Sequence, residues 1–261
     1  MHMITLTSDW NENDYYVASL KGKLLSACPD VKIIDINHRI KAFNSAQAAF
    51  VVRNSFPHFP DGSIHIIAVN SEPEMGGELL AAKKDKHFFL CADNGILGLL
   101  GGEEPEEVVS LTRDFQEEGD TFIALTVFAR AACKLAGGAP LSKLGSPVLE
   151  YDRQTPLRAT IENRTIIGSV IHIDSYQNAI TNISQDLFKR IGDGKDFEIF
   201  VQSKHYVLKR INKRYNETEP GDLLAIFNSA GLLEIAIRNG NAAGLLKLNT
   251  NSTIRVEFKE G

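Results

Sequence analysis

Cysteine is scarce in this chain, and so are most other residues that give a quick answer. Among 261 residues there are three cysteines, Cys28, Cys91 and Cys133, odd in number and widely spaced. That pattern fits neither a disulfide framework nor a metal-binding knuckle, both of which need cysteines in regular, closely related positions. Basic residues are not in excess. The 28 Lys and Arg against 33 Asp and Glu leave a net charge of -5, which argues against a nucleic-acid partner, because phosphates require a basic face. No apolar run approaches the roughly 20 residues needed to cross a bilayer, and the N-terminus lacks the basic and apolar regions of a secretory leader. We therefore expect no membrane association and a cytoplasmic address. What is present is an ordinary globular composition, 43% hydrophobic and 23% charged, in a chain long enough to bury a substantial core.

The apolar pattern divides the chain into two halves. In the first, strands and helices alternate: a strand from Ile4, a helix after Asp14, a strand at Val31 to Ile36, a helix at Ser45 to Phe56 and a buried strand at Ser63 to Val69. Short strands follow at Leu79 to Ala82, His87 to Cys91 and Val108 to Leu111. A helix from about Thr126 to Leu135 ends at Gly137 and Gly138, a pair suited to a left-handed cap. Such βαβ alternation predicts a mostly parallel sheet flanked by helices over residues 1–140. Residues 141–159 are rich in Pro, Gly and Ser and read as a linker. From residue 160 to 261, β-branched and aromatic runs at Thr165 to Ile173, Phe197 to Val201, His205 to Leu208, Leu223 to Phe227, Leu232 to Ile237 and Thr253 to Phe258 predict a small antiparallel β-barrel domain, interrupted by one helix at Ser184 to Ile191.

Three tracts carry candidate chemistry. In ITLTSDWNENDYY, Asp9 falls where the first strand ends. The carboxyl ends of parallel strands line the ligand crevice, so Asp9 is placed to grip a sugar diol or a cation; the plainer reading is that Asp9 and Asp14 cap a helix. In DINHRI, Asp35 and His38 invite a metal or acid–base reading, but no second His or Cys completes a ligand set, and a hydrogen-bonded structural histidine is the ordinary alternative. No metal site is expected. In IHIDSYQNAITNIS, a strand delivers Asp174 to its end, and Tyr176, Asn178 and Asn182 follow in a polar turn. A ring, amides and a carboxylate together suit a flat base joined to an amino acid. A turn rich in Asn and Asp explains the same residues without a ligand.

The opening segment ITLTSDWNENDYYVASLKG resembles the start of the S-adenosylmethionine (SAM) hydrolase and halogenase superfamily, the SAM hydroxide adenosyltransferases. Other blocks follow in that family's order. DINH is similar to its Asp-Ile-Thr-His segment, and ADNG, Ala92 to Gly95, to its Pro-Asp-Asn-Gly turn. DSYQNAITN resembles its Asp-x-Phe-Gly-Asn-x-x-Thr-Asn signature, with Tyr176 for phenylalanine and Gln177 for glycine. FNSAGLLEIAIRNGNAAGLL, Phe227 to Leu246, resembles its C-terminal signature, although a β-hairpin with a glycine turn accounts for the apolar residues there. The resemblance implies a homotrimer whose sites lie between the N-terminal domain of one subunit and the C-terminal domain of its neighbour. It further implies that Asp9 holds the ribose hydroxyls, Tyr176, Asn178 and the backbone at Asn241 and Ala242 hold adenine, and Asp174 and Ser229 hold the amino-acid end. SAM or adenosine is the implied ligand, with no further cofactor.

The reacting centre departs from the family. Its hydrolases resemble one another in an Asp-Pro-Gly-Val-Gly loop, an Arg seven residues past that Asp, and a His in a Thr-Phe-His-Gly-Arg string. Here those three positions fall on Asn70, Gly77 and Ile123. Three explanations stay open. A carboxylate in the loop, Glu72, Glu74 or Glu78, serves as a replacement base, although a Glu-rich surface loop is usually only solvated. Alternatively, the chain binds SAM or adenosine without turnover. Halogenase chemistry is the weakest option, because Lys83 to His87 passes directly into the next strand where the halogenases carry an extra loop.

Overall fold

The computed structural model describes residues 2–72, 77–111, 121–202 and 205–259. They form two compact units, Met1–Pro156 and Leu157–Gly261. The first contains β1 (Met3–Ser8), α1 (Tyr15–Ala27), β2 (Lys32–Asn37), α2 (Ser45–Arg53), β3 (Ile64–Ala68), β4 (Leu79–Lys84), β5 (His87–Ala92), α3 (Ile96–Leu99), β6 (Glu107–Leu111), α4 (Ala129–Ala136) and β7 (Gly145–Pro147). The second contains β8 (Thr160–Glu162), β9 (Thr165–Ile173), β10 (Ala179–Ser184), α5 (Gln185–Gly192), β11 (Phe197–Val201), β12 (Val207–Leu208), β13 (Leu223–Phe227), β14 (Leu232–Ile237), α6 (Ala242–Leu245) and β15 (Thr253–Phe258).

In the first unit the sheet order is β2-β1-β3-β5-β4-β6-β7. The pairs β1–β2, β1–β3 and β3–β5 are parallel, as the βαβ pattern predicts, and β4, β6 and β7 extend the sheet antiparallel. Strands β1 and β3 are buried along nearly their whole length because helices cover both faces. One layer packs Leu20, Leu24, Val127 and Phe128 on the sheet, and the other packs Ala48, Val52, Ile96 and Leu100. The predicted strand at Val31 to Ile36 is the exposed edge, β2, with Ile34 40% exposed. Residues 145–147, within the stretch expected to be linker, are β7 and pair with β6. A Cβ on Gly145 would lie 1.6 Å from the Ser110 carbonyl oxygen, so this strand needs a glycine where composition alone reads as punctuation.

The second unit is the expected antiparallel barrel. Its order is β12-β11-β15-β9-β10-β14-β13, with β8 on β9. A bridge between Asn212 and Ile226, where the Asn212 amide donates to the Ala225 carbonyl at 2.7 Å, draws the chain after β12 toward β13 and nearly closes the ring. Strand β10 differs from the expected polar turn. Asn182 lies within it, and its Oδ1 accepts from the Ser169 amide at 2.8 Å, where the β9–β10 register shifts.

The cysteine reading is corrected. Cys28, at the end of α1, and Cys133, in α4, form a disulfide with their Cα atoms 5.6 Å apart. Their separation of 105 residues hides a pairing that exists only once the two helices pack together. Cys91 is free and buried; burial and then Asp93 push its thiol up to about 12.

A buried histidine pair lies in the first unit. His65 Nδ1 is 2.7 Å from Thr5 Oγ1, its Nε2 is 3.1 Å from His87 Nδ1, and Phe56, Phe59 and Phe89 surround the ring. Burial, then His87, lower the His65 pKa to about 3. Above about pH 6.5 neither folded nor unfolded His65 binds a proton, so no stability is lost. Below that, only the unfolded chain takes one up, and stability falls until the folded ring titrates near pH 3. This one group is expected to remove up to about 1.4 kcal/mol per pH unit across that window. His65→Leu costs stability at pH 7, since Thr5 loses its partner, but flattens the slope. Urea unfolding at pH 7, 6 and 5 checks this, and equal slopes for the two proteins would sink it.

Candidate adenosyl-ligand site

Asp9 follows β1 directly and is half-buried. It caps no helix. Its Oδ2 accepts from the Phe43 amide at 2.9 Å and the Asn70 amide at 3.3 Å. Among the described residues Oδ1 accepts nothing, so one oxygen is committed to the fold and the other is available. Asp14 occupies the N-cap of α1 without a side-chain bond. Three non-glycine residues around Asp9 have positive φ: Asn11 at 66°, Phe43 at 63° and Asn70 at 47°. Such conformations cost about 1–2 kcal/mol each and cluster at functional sites. Phe43 is also 75% exposed, an unusual state for a phenylalanine pinned through its own amide. It was missed in the sequence because it reads as the apolar residue before the Asn44 cap of α2.

The loop after β3 is fixed from a second side. Asn94 Nδ2 donates to the Val69 carbonyl at 3.1 Å and the Asn70 carbonyl at 2.8 Å, while its Oδ1 accepts from Ile96. The ADNG turn is therefore a clamp on Asn70, with Gly95 at φ 83°. Burial raises the Asp93 carboxyl, and the Asp152 amide on its Oδ1 opposes that. Around the opening of α1, Trp10 and Tyr16 meet Phe122 edge-on at 5.0 and 5.1 Å.

His38 is structural. It is 2% exposed, with Nδ1 2.7 Å from Ser8 Oγ and Nε2 3.0 Å from Asp35 Oδ1. Partial burial works against ionisation of Asp35, but Lys21 at 2.5 Å and His38 outweigh it and lower its pKa. Among the described residues, no group of three or more His, Cys, Asp and Glu is placed to hold a metal. Asn70, Gly77 and Ile123, onto which the resemblance maps the family's catalytic positions, carry no acid–base group. Asn70 carries an amide, Gly77 is exposed, and Ile123 is 5% exposed within the core cluster that includes Leu6 and Val127. Ile123 leads into a π-helical turn, Ala124–Phe128, that continues as α4. Glu72 is exposed; Glu74 lies outside the described residues.

In the second unit, Asp174 closes the β9–β10 turn on itself. Its Oδ1 accepts from the Asn178 amide at 2.8 Å and its Oδ2 from Asn178 Nδ2 at 3.2 Å. Gln177 stands at φ 65°, so the turn keeps the left-handed conformation natural to the family's glycine. Tyr176 is 79% exposed at its tip. The Gln177 carbonyl accepts from the Ala243 amide at 2.9 Å, which docks the start of α6 against this turn. Asn241 caps α6, its Oδ1 taking the Gly244 amide at 2.5 Å, and Ala242 beside it is buried. Tyr176, Asn178, Asn241 and Ala242 are thereby brought together. Ser229 sits on the separate, exposed turn between β13 and β14. A buried carboxylate near Asp174, Glu234, was missed; a lone charge inside the apolar run LLEIAI was its signal.

Both units have counterparts among known proteins. Residues 4–145 match the SAM hydroxide adenosyltransferase N-terminal domain and residues 168–255 its C-terminal domain. The chain is 28% identical to an (R)-S-adenosyl-L-methionine hydrolase of Methanocaldococcus jannaschii, over 99% of this chain and 97% of that one. It is 24% identical to a fluorinase of Nocardia brasiliensis, over 99% and 97% respectively. A solved structure of an uncharacterized conserved protein from Thermotoga maritima superposes with a TM-score of 0.86 at 26% identity, covering 98% of this chain and 99% of that one. With both of its domains matched in order along nearly the whole chain, the protein belongs to the SAM hydroxide adenosyltransferase family.

Proposed function

We propose that this protein binds SAM or adenosine and that it hydrolyses SAM slowly or not at all. The observation that carries the second half is Ile123, 5% exposed among apolar core residues where the family's hydrolases have histidine. Hydrolysis breaks the bond between sulfur and the ribose C5′ and forms a new one from water oxygen to C5′. The sulfonium keeps the electron pair and leaves as neutral methionine, and the water loses a proton. Positioning accounts for much of such a rate, and a base or polarising group for more. Asn70, Gly77 and Ile123 supply none of the latter.

The binding half rests on what is retained. The free Oδ1 of Asp9 suits the ribose hydroxyls, and the exposed ring of Phe43 lies in the segment whose amide Asp9 holds. Tyr176, Asn178 and the chain at Asn241 and Ala242 suit adenine, and Asp174 and Ser229 suit the amino-acid end. No cofactor beyond the ligand enters this reading. We place the protein in the cytoplasm, as a homotrimer, in line with the family resemblance. A rebuilt enzyme is the second reading, with Glu72 or Glu74 as base; it is favoured by their closeness in sequence to Asn70.

Removing one partner of a buried charge pair costs about 2–5 kcal/mol. Asp174→Ala is thus expected to weaken SAM binding at least tenfold (about 1.4 kcal/mol) without unfolding the protein. Titration calorimetry tests this, and absence of heat from SAM, adenosine and S-adenosylhomocysteine with the unmutated protein refutes the ligand assignment. For turnover, pure protein incubated with SAM is expected to release little adenosine or methionine by chromatography. Rapid release abolished by Glu72→Gln or Glu74→Gln would establish the rebuilt enzyme instead. Rapid release indifferent to both would leave an enzyme whose base lies elsewhere.

A further inference from the structure

Glu234 is 2% exposed in β14, between Leu233 and Ile235. Those two neighbours point into the barrel core, so strand alternation sends Glu234 to the opposite face. It pairs across the sheet with Ile180 of β10, which pairs in turn with His172 of β9. Both carboxylate oxygens are used. Oε1 accepts from the Tyr215 hydroxyl at 2.8 Å and Oε2 from Asn228 Nδ2 at 3.1 Å. Asn228 is in turn the organiser of the β13–β14 turn. Its Oδ1 accepts from the Ala230 amide at 3.0 Å and the Leu232 amide at 3.2 Å, and its carbonyl accepts from Gly231 at 2.9 Å. Because Oδ1 faces two backbone donors, the Asn228 amide has one orientation, and its Nδ2 needs an acceptor on the Glu234 side. Ser229 is the residue this turn presents.

We propose that Glu234 is a positioning residue for the amino-acid end of the ligand: by fixing Asn228 it sets the turn that carries Ser229. The inference rests on the reading that Asp174 and Ser229 hold that end. The electrostatics support it. Burial raises the Glu234 carboxyl and nearby Asp174 raises it further, while Tyr215 and Asn228 oppose the shift by donating to it. A network of this kind is sensitive to a single reversed donor, because a buried group left facing its own kind loses its bond and its solvation together.

Reversing the donors tests it. Asn228→Asp sets two carboxylates face to face and is expected to lower SAM affinity at least tenfold by calorimetry, with adenosine, which lacks the amino-acid end, changed less than about threefold. Adding Glu234→Gln to that variant restores a donor opposite an acceptor, leaves an oxygen for Tyr215, and is expected to bring SAM affinity back to within about threefold of the unmutated protein. If Asn228→Asp does not fold, Glu234→Leu, which leaves Asn228 Nδ2 and the Tyr215 hydroxyl without their acceptor, is expected to weaken SAM about threefold or more with adenosine changed less. A double variant no better than the single one, or an equal loss for adenosine, overturns the proposal. Loss of SAM binding in Asp174→Ala with full binding in Asn228→Asp overturns the role of Glu234 alone. SAM binding that Asp174→Ala leaves intact overturns the ligand reading and this inference with it.

Discussion

With one carboxylate oxygen, Asp9 holds the backbone amides of Phe43 and Asn70, and so ties the end of β1 to the chain segments that follow β2 and β3. The parallel half of the sheet needs such a tie. Its strands end together at one edge, and the chain leaving each must turn away without burying unmet amides. Both amides that Asp9 satisfies belong to residues in the left-handed region, where no ladder partner is available. Charge-assisted bonds are roughly twice as strong as neutral ones, which works against the strain of the two residues. Asn94 completes the arrangement from the other side, gripping the Val69 and Asn70 carbonyls. Substituting Asp9 therefore disturbs the geometry of both loops together.

Much of this was legible in the sequence, for identifiable reasons. Strands β1, β3, β5, β9, β13, β14 and β15 are long or strongly apolar, and their periodicity is decisive. Asp9 was placed correctly at a strand end because alternation of Ile4 and Leu6 with Thr5 and Thr7 counts residues reliably. The Ser184 cap of α5, whose hydroxyl accepts from Leu187, is likewise a local signal. What was not legible depends on distant contacts. β10 reads as a polar turn because Asn182 sits in it, and that asparagine is explained only by the shifted register against Ser169. β7 reads as linker because Gly145 is required by the approach of Ser110. Cys28 and Cys133 are paired by the packing of α1 on α4, which no spacing rule encodes.

The candidate ligand residues of the two units are held differently. In the β domain the turn residues saturate one another. Asp174 bonds Asn178 twice, Asn241 caps α6, and Asn228 and Glu234 are fully engaged. Such a surface is pre-organised, so a ligand meeting it gives up little to ordering. In the α/β unit the order is concentrated on Asp9 and its two loops, and positions 70, 77 and 123 carry an amide, a glycine and a buried isoleucine.

Binding and turnover draw on separate parts of such a site. Interactions that hold substrate and transition state equally lower KM and leave kcat unchanged; only groups that respond to charge moving at the reacting centre raise it. Ribose, adenine and amino-acid contacts are of the first kind, since those parts of SAM do not change as the C5′–sulfur bond breaks. A base acting on the water is of the second kind. Losses among residues that act as a unit are strongly non-additive, so in the proposed reading an isoleucine at position 123 leaves little further rate for Asn70 and Gly77 to remove. On the function proposed above, affinity for SAM and rate separate along the same line as the residues assigned to them: Asp9, Asp174 and Asn178 to binding, Asn70, Gly77 and Ile123 to the reacting centre.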